Sequence, residues 1–221
     1  MRWPRVVLAL AVLVTLGAGA PAGAQAPKGP SREQALADLA GPDLEARRLA
    51  AAWLGESGRM EDAPALVGAL RDPDLVVRAL AENSLWQVWS RSGDAEVDAL
   101  FALGVEQMTL RQGSAAVDIF SRIIDKKPDF AEGWNKRATV YFLMGEYDKS
   151  LRDCDEVIKR NPVHFGALSG YGQIYLHLGE PERALPYLER ALAVNPNMEQ
   201  VERVVEQLKD LLARQKRKDS I

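Results

Sequence analysis

The sequence predicts an all-α protein, a right-handed solenoid of stacked helical hairpins, and three observations carry that prediction. Pro128, Pro162 and Pro196 recur at a constant offset of 34. Small and aromatic residues repeat in step with them: Trp134, Ala138, Tyr141, Gly145 and Tyr147 are answered at the same offset by Leu168, Gly172, Tyr175, Gly179 and Pro181. Ahead of that array a Pro-Asp turn recurs at an offset of 31, as Pro42-Asp43 and Pro73-Asp74. Fixed self-similarity at such spacings marks a helical-repeat array, because one hairpin cannot bury its own apolar face.

Composition is compatible with a soluble folded chain: 221 residues, 47% hydrophobic and 27% charged. Formal net charge is −3, or −5 without the two arginines of the leader, too mild to suggest nucleic acid or an acidic partner. One cysteine, Cys154, cannot form an internal disulfide, and its place in the repeat predicts a buried thiol. The stretch from Met1 to Ala24 reads as a secretory signal. Arg2 and Arg5 supply the positive end, Val6 to Ala20 is an apolar run of 15, and Ala22-Gly23-Ala24 offers a cleavage site, with Ala24-Gln25-Ala26 as a second. That run is short of the roughly 20 residues a membrane span requires, so an exported mature chain with no stable membrane span is expected. An uncleaved anchor is the competing reading.

Residues 25–31 form a linker, and residues 32–93 carry the first kind of repeat. Gly41-Pro42-Asp43-Leu44 through Arg47, Ala50 and Leu54 aligns with Asp72-Pro73-Asp74-Leu75 through Arg78, Ala81 and Leu85. In each copy proline stops one helix and aspartate accepts bonds from the free N–H groups that open the next. This pair resembles HEAT-type repeats. Two copies are fewer than such arrays need to stand alone, so the block should lean on the array behind it. Asp43 with Arg47, and Asp74 with Arg78, have i,i+4 spacing, which suits a structural pair or a charged ladder for an anionic partner. Trp86 and Trp89 share a helix face and should seal the joint with the first 34-residue unit.

Residues 94–217 hold three units, 97–130, 131–164 and 165–198, with turns near Gly113, Gly145 and Gly179, then an end helix over 198–217. Val201, Val204, Val205, Leu208, Leu211 and Leu212 form the apolar stripe of that helix. Lys216, Arg217 and Lys218 read as a solvated tail or, less simply, a binding patch. The order of large, small and proline positions resembles the tetratricopeptide repeat. Glu132-Gly133-Trp134-Asn135-Lys136-Arg137-Ala138-Thr139 and His164-Phe165-Gly166-Ala167-Leu168-Ser169-Gly170 are also similar to stretches of a group of exported bacterial tetratricopeptide proteins. That resemblance implies a fold and export but no activity.

The resemblance further implies that the first helix of each unit lines a concave face. Inward positions are Asp98, Phe101, Val105 and Met108, then Glu132, Asn135, Thr139 and Phe142, then Gly166, Ser169, Gln173 and Leu176. Of these, Phe101, Val105, Met108, Asn135, Thr139, Phe142, Ser169 and Gln173 are the expected partner-binding groove. Asn135 and Gln173 would bond the backbone of a peptide or protein segment against apolar walls. The alternative is that the chain's own front block or end helix fills the groove. The resemblance also brings a clamp for peptide termini, built in this family from lysine, asparagine and arginine at the inward positions; here only Asn135 is available, with Lys136 beside it, so that clamp looks absent. Gly166 and Gly170 admit close approach, either of a neighbouring helix or of a ligand backbone. Arg137, where the repeat normally has leucine, calls for a carboxylate such as Asp153 or Asp155, or else marks an anion site. Trp134 should wedge into the core of the central unit.

His164 and His177 lie about 20 Å apart along one helix, too far to share a metal. No nucleophile elbow, phosphate loop or carboxylate pair with a histidine is present, so no enzyme activity, cofactor, metal or small-molecule substrate is expected. The expected function is an exported scaffold that binds protein or peptide. The alternative is a structural or accessory subunit of an envelope assembly or enzyme complex.

Overall fold

The computed structural model describes residues 29–218. The chain separates into residues 1–30 and 31–221, and every described helix lies in the second unit. The expected signal, most of the expected linker and residues 219–221 fall outside the described residues. Eleven α-helices and no strand occur among the described residues. None of these helices is long and apolar enough to cross a membrane.

The front block consists of α1 (Arg32–Leu39), α2 (Leu44–Ser57), a 3-10 turn (Met60–Asp62), α3 (Ala63–Ala69) and α4 (Leu75–Trp89). Both Pro-Asp turns open helices as the sequence predicts: Asp43 caps α2 through the Ala46 N–H, and Asp74 caps α4 through those of Val76 and Val77. Ala50, Ala51 and Leu54 of α2 meet Val77, Ala81 and Leu85 of α4 in a dry core. The two helices come close enough at Gly55 that a Cβ there would lie 2.4 Å from the Ser84 hydroxyl. Ser84 also donates to the Ala51 carbonyl at 2.8 Å.

The arginines of this block do not pair four residues back. Arg47 forks onto Asp72, and Arg48 onto Asp74, each reaching the next hairpin at 2.8–3.3 Å. Asp43 is occupied as a cap, so its carboxylate already has a backbone partner. The Arg48 guanidinium draws the Asp74 carboxyl down to about 2. The ladder is therefore structural, and it ties one hairpin to its neighbour.

The array follows as α5 (Ala95–Thr109) with α6 (Gly113–Lys126), α7 (Ala131–Leu143) with α8 (Tyr147–Arg160), and α9 (Phe165–His177) with α10 (Pro181–Val194), closed by α11 (Glu199–Lys218). Gly145 and Gly179 take positive φ, 77° and 74°, where the chain reverses. In the first hairpin the equivalent position is Arg111, at φ 58°, and not Gly113, which begins α6. Val205 and Leu208 of α11 cover the open end of α10, while Leu211 remains largely exposed.

Arg137 meets its expected carboxylate: Nε and Nη2 each donate to Asp153 at 2.8 Å, and Nη1 reaches the Ser121 hydroxyl. Cys154 is buried, and that burial, with Asp153 and Asp155 nearby, pushes its thiol up to about 12. Trp134 departs from expectation. Its ring is only half-buried, donates from Nε1 to the Pro128 carbonyl at 3.0 Å, and lies between the Arg137 and Arg160 guanidinia at 5.1 and 4.8 Å. The bond to the Pro128 carbonyl and the two flanking guanidinia hold the ring at the surface of the turn instead.

Trp86 and Trp89 also differ from expectation in their partner. They pack on the start of the third array unit, not the first: Trp89 stacks on His164 with centroids 4.5 Å apart, and Trp86 meets Phe165 edge-on at 5.3 Å. Arg71 donates to the Ala193 and Val194 carbonyls, and Asn197 to the Leu70 carbonyl at 2.8 Å. The front block leans on the far end of the array, and Phe165, Val194 and Met198 belong to its core.

Candidate interaction groove

The residues expected to line one groove divide among four environments. Asn135, Thr139, Phe142 and Gln173 share a cleft of about 190 Å³ between α7, α8 and α9, with Gly166, Gly170 and Ile174 also in its walls. Ser169 is buried beside it and accepts from the Gln173 amide at 3.3 Å. Phe101 is a core residue, packed edge-on against Phe120 and Phe130, and this core role replaces the expected groove role. Asp98 is taken up by the Ser92 N–H and hydroxyl. Met108 belongs to a different cleft with Arg111, Val140, Leu143 and Met144, and Val105 is exposed on α5.

The two glycines of α9 have different neighbours. A Cβ on Gly166 would lie 2.4 Å from Cη2 of Trp86, whereas one on Gly170 would meet nothing within 4 Å. Gly166 is thus a packing glycine for the front block, and Gly170 opens the cleft floor. The chain's own tryptophan bounds the groove at the N-terminal ends of α7 and α9 without filling its far half.

Beneath that tryptophan lies a polar cluster assembled from residues that the sequence shows only singly. Glu132 and His164 are completely shielded from solvent. His164 Nδ1 accepts the Ala167 N–H at 3.1 Å, so the hydrogen sits on Nε2 and is donated to Glu132 Oε2 at 2.8 Å. Lys136 Nζ reaches Oε1 at 2.9 Å, and the Asn135 amide donates to both oxygens at 3.1 Å. Burial pushes the Glu132 carboxyl upward, but the bonds from His164 and Lys136 outweigh it and hold the group below the ordinary carboxylate range. Asn135 therefore spends its N–H₂ inside the protein and faces the cleft with only its carbonyl oxygen uncommitted. The i,i+4 spacing of Glu132 and Lys136 was a legible signal; their convergence on His164 required the tertiary structure.

Further along the groove, Phe142 packs edge-on against His177 at 4.9 Å and against Tyr147 at 5.8 Å. Tyr171, Tyr175 and Tyr187 stack behind it, and burial together with the bond to Asp155 raises the Tyr171 phenol. No cluster of three or more metal-ligating side chains occurs among the described residues. The open half of the cleft offers amide, hydroxyl and aromatic surface, which suits hydrogen bonding to a polypeptide backbone.

Comparison with known proteins agrees with this architecture. A tetratricopeptide repeat family profile matches residues 135–199. A TPR repeat-containing protein of Rhizobium etli is 36% identical over 143 residues, covering 65% of this chain and 69% of that protein. Anaphase-promoting complex subunit 7 of Dictyostelium discoideum is 40% identical over 76 residues, which span 34% of this chain but only 13% of that protein. Among solved structures, the first TPR of Spaghetti (RPAP3) bound to an HSP90 peptide superposes with a TM-score of 0.52 at 22% identity, covering 54% of this chain and 96% of that one. The TPR2B domain of yeast Sti1 in complex with pHsp70 gives 0.50 at 18% identity, over 53% and 99% of the two chains. With a constant repeat period, three hairpins in series and a relative matched over most of its length, this chain belongs to the tetratricopeptide repeat proteins.

Proposed function

We propose that the chain is an exported, non-enzymatic scaffold that holds a segment of another protein in the open half of its concave cleft. The observation that carries this reading is the cleft itself, where Asn135, Thr139, Phe142 and Gln173 present backbone-seeking polar groups beside an aromatic wall and above the bare Gly170. Peptide-bound repeat domains of the same fold, in RPAP3 and Sti1, support it. The export part rests on the charged, apolar and small-residue sections of residues 1–24. We read the front block as a pair of HEAT-like hairpins that caps one end of the groove and limits the length of chain it accepts.

Thr139 and Gln173 are exposed, so Thr139→Arg and Gln173→Arg should leave the melt unchanged while blocking the cleft. Affinity capture from the cell envelope, compared with an outer-face variant such as Arg152→Glu, tests the proposal. It predicts a partner set lost with both groove variants and kept with the outer one. Retention of every partner by the groove variants would refute it.

One observation favours a second reading, a structural or accessory subunit of an envelope assembly or enzyme complex. Leu110, Met144 and Leu178 recur at the repeat spacing at the hairpin turns and are exposed, with Leu143 beside them at 70% exposure. A ridge of that kind suits a fixed neighbour docked along the turn edge. Loss of capture with Leu143→Glu, and not with the groove variants, would select it.

A further inference from the structure

We propose that a second cleft, formed where the front block meets the first inter-unit turn, is a binding site for a small tetrahedral oxyanion of the phosphate class. It encloses about 150 Å³, and its walls include Trp89, Arg91, Lys127, Arg160 and Asn161, with one carboxylate, Asp129, at the rim among them. That space is enough for a compact anion.

Two of its walls are buried side chains whose donors have no acceptor in the protein: the Trp89 indole Nε1 and the Asn161 amide Nδ2. Each residue is 3% exposed. An orphaned buried donor carries an unreturned desolvation cost, so two lining one cleft ask for an acceptor there. Asn195, one repeat later, has the same orphaned amide, so the amide alone is a property of the repeat. The indole and the surrounding charge are what single out this cleft.

Three cations line the same space. Arg160 spends Nε and Nη1 on the Pro128 carbonyl and on Glu156, which leaves Nη2. Arg91 spends both terminal nitrogens on the carbonyls ending α2, which leaves Nε. Lys127 has a long ion pair, 3.6 Å, to the exposed Asp129, and its charge also acts on the Asp94 carboxylate. The first turn of α7 opens into the cleft at Ala131, and no side chain caps it: its N-cap residue is Phe130, whereas α5 and α9 are capped by Asp94 and His164. Free N–H groups at the positive end of a thirteen-residue helix add to the same preference. A tetrahedral anion directs its acceptor sites out of any one plane, toward indole, amide, helix N–H and guanidinium placed around it, whereas a carboxylate keeps its acceptor sites close to a single plane.

The indole N–H is also the probe. In the full chain with ¹⁵N-labelled tryptophan, the Trp89 indole resonance, assigned with Trp89→Phe, should shift saturably on titration with inorganic phosphate against chloride of equal ionic strength. Acetate should shift it far less. Lys127→Gln should weaken phosphate binding about tenfold, and Asp129→Asn, which releases Lys127, should tighten it a few-fold. An unmoved Trp86 indole and an unchanged melt certify the fold of each variant. A Trp89 resonance indifferent to phosphate, an equal response to acetate, or equal affinities in the Lys127 and Asp129 variants would each overturn the assignment.

Discussion

The same two helices, α7 and α9, behave oppositely at their two ends. At their N-terminal ends Glu132, His164 and Phe165 lie buried under Trp86 and Trp89, with both oxygens of the Glu132 carboxylate bonded inside the protein. Further along the two helices Gly170, Thr139 and Gln173 face open space. One end is bonded inside the protein, and the other is left open to solvent. A solenoid makes this division natural, because its stability is a sum of neighbour terms, and a stretch of face can be left bare provided adjoining stretches are well packed.

The largest effect should come from removing the closed end's cover. Trp89→Ala is expected to cost about 3–5 kcal/mol, the range for truncating a buried aromatic. Trp134→Ala, which loses one hydrogen bond and a half-exposed ring between two cations, should cost only about 1–2 kcal/mol. Urea denaturation of the two variants decides it: equal losses would mean that the closed end holds no special share of stability.

Next comes the buried carboxylate. Glu132→Gln should cost about 2–3 kcal/mol, less than full removal of a buried partner, because glutamine keeps hydrogen bonds and Lys136 can reach water. The Glu132 pKa is depressed in the fold, so its contribution is present above the unfolded value, near 4.5, and is lost as pH falls through the lower folded value. Stability of the parent chain should therefore fall more steeply below pH 4.5 than that of the glutamine variant. Parallel acid-denaturation slopes would contradict the bonding described.

The two α9 glycines give a sharper and smaller contrast. Gly166→Ala pushes a methyl into the Trp86 ring and should destabilise by about 1–3 kcal/mol, while Gly170→Ala finds free space and should stabilise by up to about 1 kcal/mol. Calorimetric melts moving in the same direction would erase the distinction between the two ends. Smallest is Arg111→Gly, away from both. It should relieve the left-handed backbone of the first turn and raise stability by about 0.5–1 kcal/mol, read as a higher melting temperature.

Much of the fold was legible because it is periodic. The prolines, the turn glycines and the Pro-Asp caps act through local backbone chemistry, so their spacing places helix ends within a few residues. Arg137 with Asp153 was legible as well, since a guanidinium in a leucine position requires a carboxylate on the facing helix. The groove was legible only in part. Phe101 occupies an inward position by count but is captured by Phe120 and Phe130. Gly113 looked like the turn glycine, yet the repeat register puts Arg111 at that place.

By itself the sequence determined the helices, the hairpin order and the repeat period, because each depends on residues within one or two turns of one another. Only the tertiary structure decided where the front block lands. Its tryptophans offer an apolar face, and nothing local in the sequence says which unit of the array that face will meet. The choice was made by contacts between distant parts of the chain, in which Trp89 found the flat face of His164, Gly166 left room for Trp86, and Arg71 found the free carbonyls at the end of α10. Such contacts depend on shape complementarity between surfaces that exist only after each part has folded, and that same docking creates both the closed end of the groove and the cationic cleft beside it.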